Sequence, residues 1–111
     1  MIVIYQKLII ITALFPGGSI TGAPKERAIE IIDYLESYNR DLYTGTIGYL
    51  HQNGNMNFNI AIRTMTVQNN IATYPVGGGI VWDSDPILEW EEAQTKSQII
   101  NILNKKITNK Y

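Results

Sequence analysis

Glu89, Glu92 and Lys96 are spaced so that a helix would place all three side chains on one face. Two carboxylates one turn apart supply the hard oxygen ligands that Mg²⁺ prefers, and a lysine one turn further on could contact an anion bridged by that metal. The same spacing is also that of a solvated helix face with an ion pair between Glu92 and Lys96, and on spacing alone this second interpretation is favoured.

Arg63 is the one charged residue in a segment whose residues alternate as in a β-strand. The alternation predicts a strand over residues 57–67. An arginine in such a strand must be paired or face a cleft, because removing an unpaired charge from water is costly. Its guanidinium would offer a two-pronged hydrogen-bonding edge to a carboxylate, which could belong to a ligand or to the chain itself.

Two glycine-rich segments could bring backbone N–H groups close to an anion. Gly77, Gly78 and Gly79 interrupt an apolar segment, which indicates a bulge or a close approach of another group to the backbone, although a plain loop has the same composition. The loop over residues 15–24 leads into a helix start, where amides and the helix dipole could hold a carboxylate or phosphate. Without further context an ordinary capped helix start is the favoured explanation of that loop, and its spacing is not that of a Walker A loop.

The composition excludes several classes of function. Nine basic and ten acidic residues give a net charge of −1, without a basic block that would favour nucleic acid binding. The absence of cysteine excludes disulfides, thiolate metal sites and a cysteine nucleophile. The single histidine, His51, is expected to be exposed beside a turn. The remaining set of arginine, lysine, glycine amides and carboxylates suits a small substrate with more than one carboxylate.

The sequence pattern predicts the elements that must position these residues. Together they form an α+β fold, in which an antiparallel β-meander is flanked by two helices. Helices are expected over residues 24–37 and 86–106, and strands over residues 44–52, 57–67 and 71–82. Pro75 and the glycine run interrupt the third strand between residues 74 and 80. Asn53-Gly54 is a strong hairpin signal, and Asp83, Ser84 or Asp85 should cap the last helix.

The first 14 residues form an apolar segment that predicts either a strand or a buried helix turn. The segment is too short to span a membrane and lacks the order of a signal peptide, so a cytoplasmic protein without membrane or nucleic acid partners is expected.

Five motifs in chain order carry a resemblance to a known family. They are Phe15-Pro-Gly-Gly-Ser-Ile-Thr-Gly-Ala-Pro-Lys-Glu-Arg-Ala-Ile-Glu-Ile-Ile-Asp33, Tyr43-Thr-Gly-Thr-Ile-Gly-Tyr49, Phe58-Asn-Ile-Ala-Ile-Arg-Thr64, Gly77-Gly-Gly-Ile-Val-Trp-Asp-Ser84, and Glu89-Trp-Glu-Glu92 with Lys96. Over about residues 15–97 the chain closely resembles the C-terminal part of the chorismate-utilising enzymes. These include anthranilate synthase component I, aminodeoxychorismate synthase component I, and isochorismate and salicylate synthases. The first and third motifs look more like the aminodeoxychorismate branch.

The resemblance implies roles for individual residues. It implies that Arg63 binds a chorismate carboxylate, that Tyr43 contacts the substrate, and that a glycine segment holds a carboxylate through its amides. The other implied positions are Gly77, Gly78 and Gly79 for that segment, Lys96 for a substrate carboxylate, Glu92 and Glu89 for Mg²⁺, and Ser19 for a hydroxyl of the substrate loop.

The resemblance also implies a function. The chain is expected to be a C-terminal fragment of the anthranilate synthase component I-like fold, with residues 1–14 as an apolar N-terminal segment and residues 15–111 as the C-terminal portion of a chorismate-binding domain. The implied enzyme is aminodeoxychorismate synthase component I, which converts chorismate and ammonia to 4-amino-4-deoxychorismate for p-aminobenzoate and folate synthesis, with Mg²⁺ as cofactor. Its implied partners are a glutamine amidotransferase subunit and the N-terminal part of the enzyme.

Two alternatives remain open. One is a fragment of anthranilate synthase component I, and the other is a non-catalytic chorismate-binding module. In either enzyme the catalytic residues are expected upstream, so that the chain alone should be inactive. Surface that normally packs on the rest of the enzyme could also drive homo-oligomer formation.

Overall fold

The computed structural model of the protein describes residues 2–108, with side chains over residues 5–102. The described residues form helices α1 (Ile2–Leu14), α2 (Gly18–Thr21), α3 (Lys25–Leu35) and α4 (Pro86–Thr108), and strands β1 (Thr46–Leu50), β2 (Met56–Ile60), β3 (Thr66–Gln68) and β4 (Ile71–Thr73). The chain divides into two compact units, Met1–Ile62 and Arg63–Tyr111. The expected α+β class is confirmed.

In the first unit, the apolar segment at the start of the chain is a helix. The apolar residues of α1 are distributed around the whole helix and do not form one face. Among them, Tyr5, Leu8 and Leu14 are exposed. Two lysines tie α1 to its neighbours: Lys7 Nζ donates to the Gly54 carbonyl at 2.7 Å, and Lys25 Nζ donates to the carbonyl of Ala13 at 3.0 Å. No helix in the described part of the chain is long and apolar enough to cross a membrane.

The loop between α1 and α3 contains the short helix α2. Gly22, which ends α2 with a φ of 119°, donates its N–H to the carbonyl of Gly18 at 2.7 Å. A side chain at Gly22 would lie 3.2 Å from the Ala28 Cβ, so the glycine lets the loop lie directly against α3. Pro24 precedes α3, as the sequence predicts for a helix start.

Strands β1 and β2 form the predicted hairpin. They pair antiparallel, from Thr46 opposite Ile60 to Leu50 opposite Met56. Gly54 takes the positive φ of 94° that the turn requires, and its N–H donates to the His51 carbonyl at 2.9 Å. The turn signal in the sequence therefore sets the register of the hairpin.

In the second unit, β3 and β4 form another antiparallel hairpin through Asn69 and Asn70, which have φ values of 51° and 63°. Asparagine is the non-glycine residue best suited to such a turn. Asp85 begins α4: its Oδ1 accepts hydrogen bonds from the N–H groups of Ile87 at 2.8 Å and Leu88 at 3.1 Å. The predicted aspartate cap is confirmed.

The expected continuous meander is replaced by these two separate hairpins. The strand predicted over residues 57–67 ends at Ile60, because β1 offers no partner beyond Thr46, and β3 begins at Thr66. Residues 80–82 are not a strand, since no neighbouring strand pairs with them, and Trp82 is fully exposed.

Within the described side chains, only Ala61 and Thr44 are buried. The N–H of Thr44 donates to the Ala61 carbonyl at 3.0 Å, and the N–H of Ala61 donates to the Gly45 carbonyl at 2.9 Å. Among the described side chains of the first unit, the most buried therefore lie at the base of the β1–β2 hairpin, directly beside Tyr43.

Candidate functional site

Arg63 lies outside any strand and is exposed, with a left-handed backbone φ of 51°. The prediction that it sits in a strand was wrong, so the argument that a strand arginine must be paired or face a cleft does not apply. Its charge nevertheless lies close enough to Glu92 to lower the pKa of that carboxyl. A left-handed conformation at a non-glycine residue costs about 1–3 kcal/mol.

Lys96 joins α4 to the glycine segment. Its Nζ lies 2.5 Å from Glu92 Oε1 and donates a hydrogen bond to the Gly77 carbonyl at 3.0 Å. The hydrogen bond from Lys96 is the main cause of the lowered pKa of Glu92, and the positive charges of Lys96 and Arg63 act in the same direction. One cation thus bonds this exposed carboxylate directly, and a second acts on it through its charge.

The glycine segment also lies against Glu89. A Cβ on Gly78 would be 2.7 Å from Glu89 Oε2, whereas one on Gly79 would meet nothing within 4 Å. The other carboxylate oxygen, Oε1, accepts a 2.7 Å hydrogen bond from Ser84 Oγ, which itself accepts one from the Val81 N–H at 3.0 Å. The close approach that the glycine run indicates is therefore present at Gly78.

The structure brings most of the predicted site residues together in the second unit. The glycine segment, Glu89, Glu92 and Lys96 are connected around the first turns of α4 by the contacts above, and Arg63 acts on Glu92 through its charge. Tyr43 and Ser19 belong to the first unit. Tyr43 is half-buried beneath the Arg40 guanidinium, and Ser19 is exposed in α2.

Glu89 and Glu92 offer the oxygen donors that suit Mg²⁺, but they form an incomplete set. Glu89 is bonded to Ser84 and Glu92 to Lys96. Across the described residues, no group of three or more histidine, aspartate or glutamate side chains is arranged to hold a metal ion. A Mg²⁺ ion held here would take at most these two carboxylates from the described chain and complete its six ligands with water, substrate or another segment.

Sequence reasoning missed two residues that contact predicted site residues, Ser84 in the second unit and Arg40 in the first. Ser84 was considered only as a helix cap, yet it orients Glu89. Arg40 was not considered at all, although its spacing of four residues from Glu36 is a recognisable signal for a helix-end ion pair.

A second feature lies on the first hairpin. An open hollow of about 500 Å³ is lined by Tyr49, His51, Asn53, Asn55, Met56 and Asn57. The Tyr49 and His51 rings meet edge to face with centroids 5.6 Å apart. His51 is exposed beside the turn, as the sequence predicts.

Replacing Lys96 with glutamine is expected to raise the pKa of Glu92 towards its ordinary value. Because the pKa of Glu92 is lowered in the folded chain, its ion pair stabilises the fold above the ordinary pKa and loses that effect as the pH falls through the lowered one. Titration of the Glu92 carboxyl carbon by NMR measures the change. The control is Lys25→Gln, which removes an ammonium bonded to a carbonyl. An unchanged Glu92 pKa in Lys96→Gln would contradict the pairing.

Comparison with known proteins places the chain in a family. Residues 5–101 match the model of the chorismate binding enzyme family. The chain belongs to this family. The match begins at residue 5 and so includes most of α1, which the motifs alone did not connect with the family.

The curated relatives that match the chain carry the names of anthranilate synthase components. An anthranilate synthase component I-like protein of Synechocystis sp. is 48% identical over 91 residues, which cover 82% of this chain and 19% of the relative. Anthranilate synthase component 1 of Pseudomonas aeruginosa is 54% identical over 84 residues, or 76% of this chain and 17% of the relative. The protein of that name in Neisseria meningitidis serogroup B is 45% identical over 91 residues, or 82% and 18%. The chain thus spans less than a fifth of the length of these relatives.

Proposed function

We propose that the chain supplies part of the chorismate site of an anthranilate synthase component I-type enzyme. The observation that carries this proposal is the contact of Lys96 with both Glu92 and the glycine segment, beside a second carboxylate at Glu89. The charge of Arg63 also acts on Glu92. Chorismate has two carboxylates, which need cationic and N–H donors. The names of the relatives favour the ortho-aminating enzyme over the aminodeoxychorismate synthase that the motifs suggest.

Each group in the cluster has a distinct task in this proposal. The Arg63 guanidinium binds one substrate carboxylate through its two-pronged edge. The amides of Gly78 and Gly79 approach a carboxylate without obstruction by a side chain. The Lys96 ammonium, which bonds Glu92 and the Gly77 carbonyl in the present structure, turns towards the ligand.

Glu92 and Glu89 would hold Mg²⁺ in the same proposal. When bound, the ion would act as a Lewis acid towards the substrate. Ser84 keeps Glu89 oriented through its hydrogen bond. Ammonia would come from a glutamine amidotransferase subunit, and the other catalytic groups from the part of the enzyme that corresponds to the remaining length of the relatives.

Fragment complementation tests this proposal. The chain would be combined with the Pseudomonas aeruginosa relative lacking its matching segment, and the mixture supplied with chorismate, Mg²⁺ and ammonium. We expect anthranilate, detected by its fluorescence. The appearance of 4-amino-4-deoxychorismate would instead support the para-aminating branch. Saturable chorismate binding without any product would support the non-catalytic binding module.

The chain alone is expected to leave chorismate unchanged, because it spans less than a fifth of its relatives and its site cluster offers Mg²⁺ an incomplete ligand set. Chromatography of chorismate incubated with the chain, Mg²⁺ and ammonium measures any loss against a protein-free control. Consumption that rises with chain concentration and disappears in Arg63→Gln would contradict this expectation.

A further inference from the structure

We infer that Gly78 is a positioning residue that acts with Ser84 on Glu89. Ser84 holds one oxygen of the Glu89 carboxylate, and Gly78 leaves open the space that the other oxygen occupies. The inference deepens the proposed function and rests on it only for the cation that this carboxylate would bind. Every contact that carries it lies within the second unit.

The first observation is that Ser84 is itself held in place. Its N–H donates to the Val81 carbonyl at 3.1 Å, and its Oγ accepts a hydrogen bond from the Val81 N–H at 3.0 Å. These two reciprocal bonds close a turn directly before α4. Because the hydroxyl oxygen accepts from Val81, its single proton can be donated to Glu89.

The second observation is that the two oxygens of the Glu89 carboxylate have different surroundings. Oε1 accepts the hydrogen bond from Ser84 Oγ at 2.7 Å. Oε2 accepts no hydrogen bond from the described residues and lies against Gly78. Glu89 is half-buried, whereas Glu91 and Glu92 on the same helix are exposed. Ser84 therefore leaves Oε2 as the oxygen that is available to a cation.

The third observation explains why residue 78 is a glycine. The φ angles of Gly78 and Gly79 lie outside the left-handed region, so the backbone would accept alanine at both positions. A Cβ on Gly78 would nevertheless lie 2.7 Å from Glu89 Oε2, whereas a Cβ on Gly79 would meet nothing within 4 Å. Since Oε2 is the far end of a flexible side chain, it would move away at little cost to the fold. A side chain at residue 78 would therefore displace the carboxylate without unfolding the chain.

The chain supplies a matched control for each of the two positions. Ser97 Oγ donates to the Gln94 carbonyl at 2.7 Å, within α4 itself, so Ser97→Ala removes a hydroxyl and its hydrogen bond without altering a contact of Glu89. Gly79→Ala adds the same methyl group as Gly78→Ala, one residue further along, where it meets nothing.

The first test follows the Glu89 carboxyl carbon by NMR in the chain without ligand. Ser84→Ala should shift this resonance by removing the hydrogen bond, and Gly78→Ala should shift it by displacing Oε2. Ser84→Thr keeps the hydroxyl and should restore the original resonance. Ser97→Ala and Gly79→Ala should leave it unchanged. In the unaltered chain, a through-space contact between the Gly78 Hα and the Glu89 side-chain protons is expected.

The second test adds Mg²⁺ alone in increasing concentration and follows the same resonance. Ser84→Ala and Gly78→Ala should each weaken Mg²⁺ binding about tenfold, the lower end of the usual effect of losing a group that orients a metal ligand. Ser97→Ala should bind Mg²⁺ as the unaltered chain does. In a Glu89→Ala background, neither Ser84→Ala nor Gly78→Ala should cause a further loss.

Three results would overturn the inference. One is a Glu89 resonance that does not respond to Ser84→Ala or Gly78→Ala, and another is an equal loss of Mg²⁺ affinity with and without Glu89. The third is the absence of the contact between Gly78 and Glu89, which is measured on the unaltered chain and so decides the matter even if the variants fail to fold. If the resonance responds but the unaltered chain binds no Mg²⁺, the metal-binding part of the proposed function fails, whereas the positioning of Glu89 is supported.

Discussion

Replacing Arg63 with glutamine is expected to weaken chorismate binding by about 10- to 150-fold. A hydrogen-bonded contact between a guanidinium and a carboxylate contributes about 1.5–3 kcal/mol, which corresponds to this range of affinity. Arg63 is exposed and outside every strand, so its loss should change the free energy of unfolding by less than about 0.5 kcal/mol. Isothermal titration calorimetry with Mg²⁺ gives the affinity, and urea denaturation gives the stability.

Two further variants separate the guanidinium from its charge. Arg63→Lys keeps the charge but lacks the planar pair of donors, so it should show an intermediate loss of affinity. Arg27→Gln removes the same charge from the exposed face of α3 and should bind chorismate normally. Equal affinities for Arg63→Gln and the unaltered chain would contradict the role assigned to Arg63.

Replacing Gly48 with alanine is expected to destabilise the first unit by about 3 kcal/mol or more, at the upper end of the cost of overpacking. Gly48 lies opposite Phe58, and an added Cβ would overlap the Asn57 carbonyl oxygen and the Phe58 ring. The overlap with a backbone oxygen can be relieved only by separating the strands. The transition midpoint in urea, followed by circular dichroism, measures the effect.

Gly18→Ala is the control for that variant. A Cβ at Gly18 would meet nothing within 4 Å, and Gly18 lies in a helix, where alanine is favoured over glycine. This variant should therefore be as stable as the unaltered chain or slightly more so. Equal stability of Gly48→Ala and Gly18→Ala would show that the described β1–β2 register is wrong.

Local signals were sufficient to predict much of the fold. Asp85 caps α4, Pro24 precedes α3, and Asn53-Gly54 forms the hairpin turn, because each depends on residues only a few positions apart. The strand predicted over residues 57–67 was too long for a physical reason. Alternation shows which residues could form a strand, but the partner strand decides where the ladder ends.

The site was predictable only in part, because local patterns do not show contacts between residues that are distant in the chain. The glycine run and the spacing of Glu92 and Lys96 indicated a close approach and an ion pair, and both are present. The hydrogen bond from Lys96 to Gly77 joins residues far apart in the chain, so the spacing of residues within one helix or strand could not predict it. Arg63 was identified by the wrong argument, since it is an exposed residue with a strained backbone rather than a charge in a strand.

Titration of the isotopically labelled chain with chorismate and Mg²⁺, followed by NMR, tests the central claim most directly. The account predicts saturable shifts at the backbone amides of residues 77–79 and at the side chains of Arg63 and Lys96. Shifts confined to the hollow beside His51, or no saturable shift at all, would contradict a chorismate site built around α4.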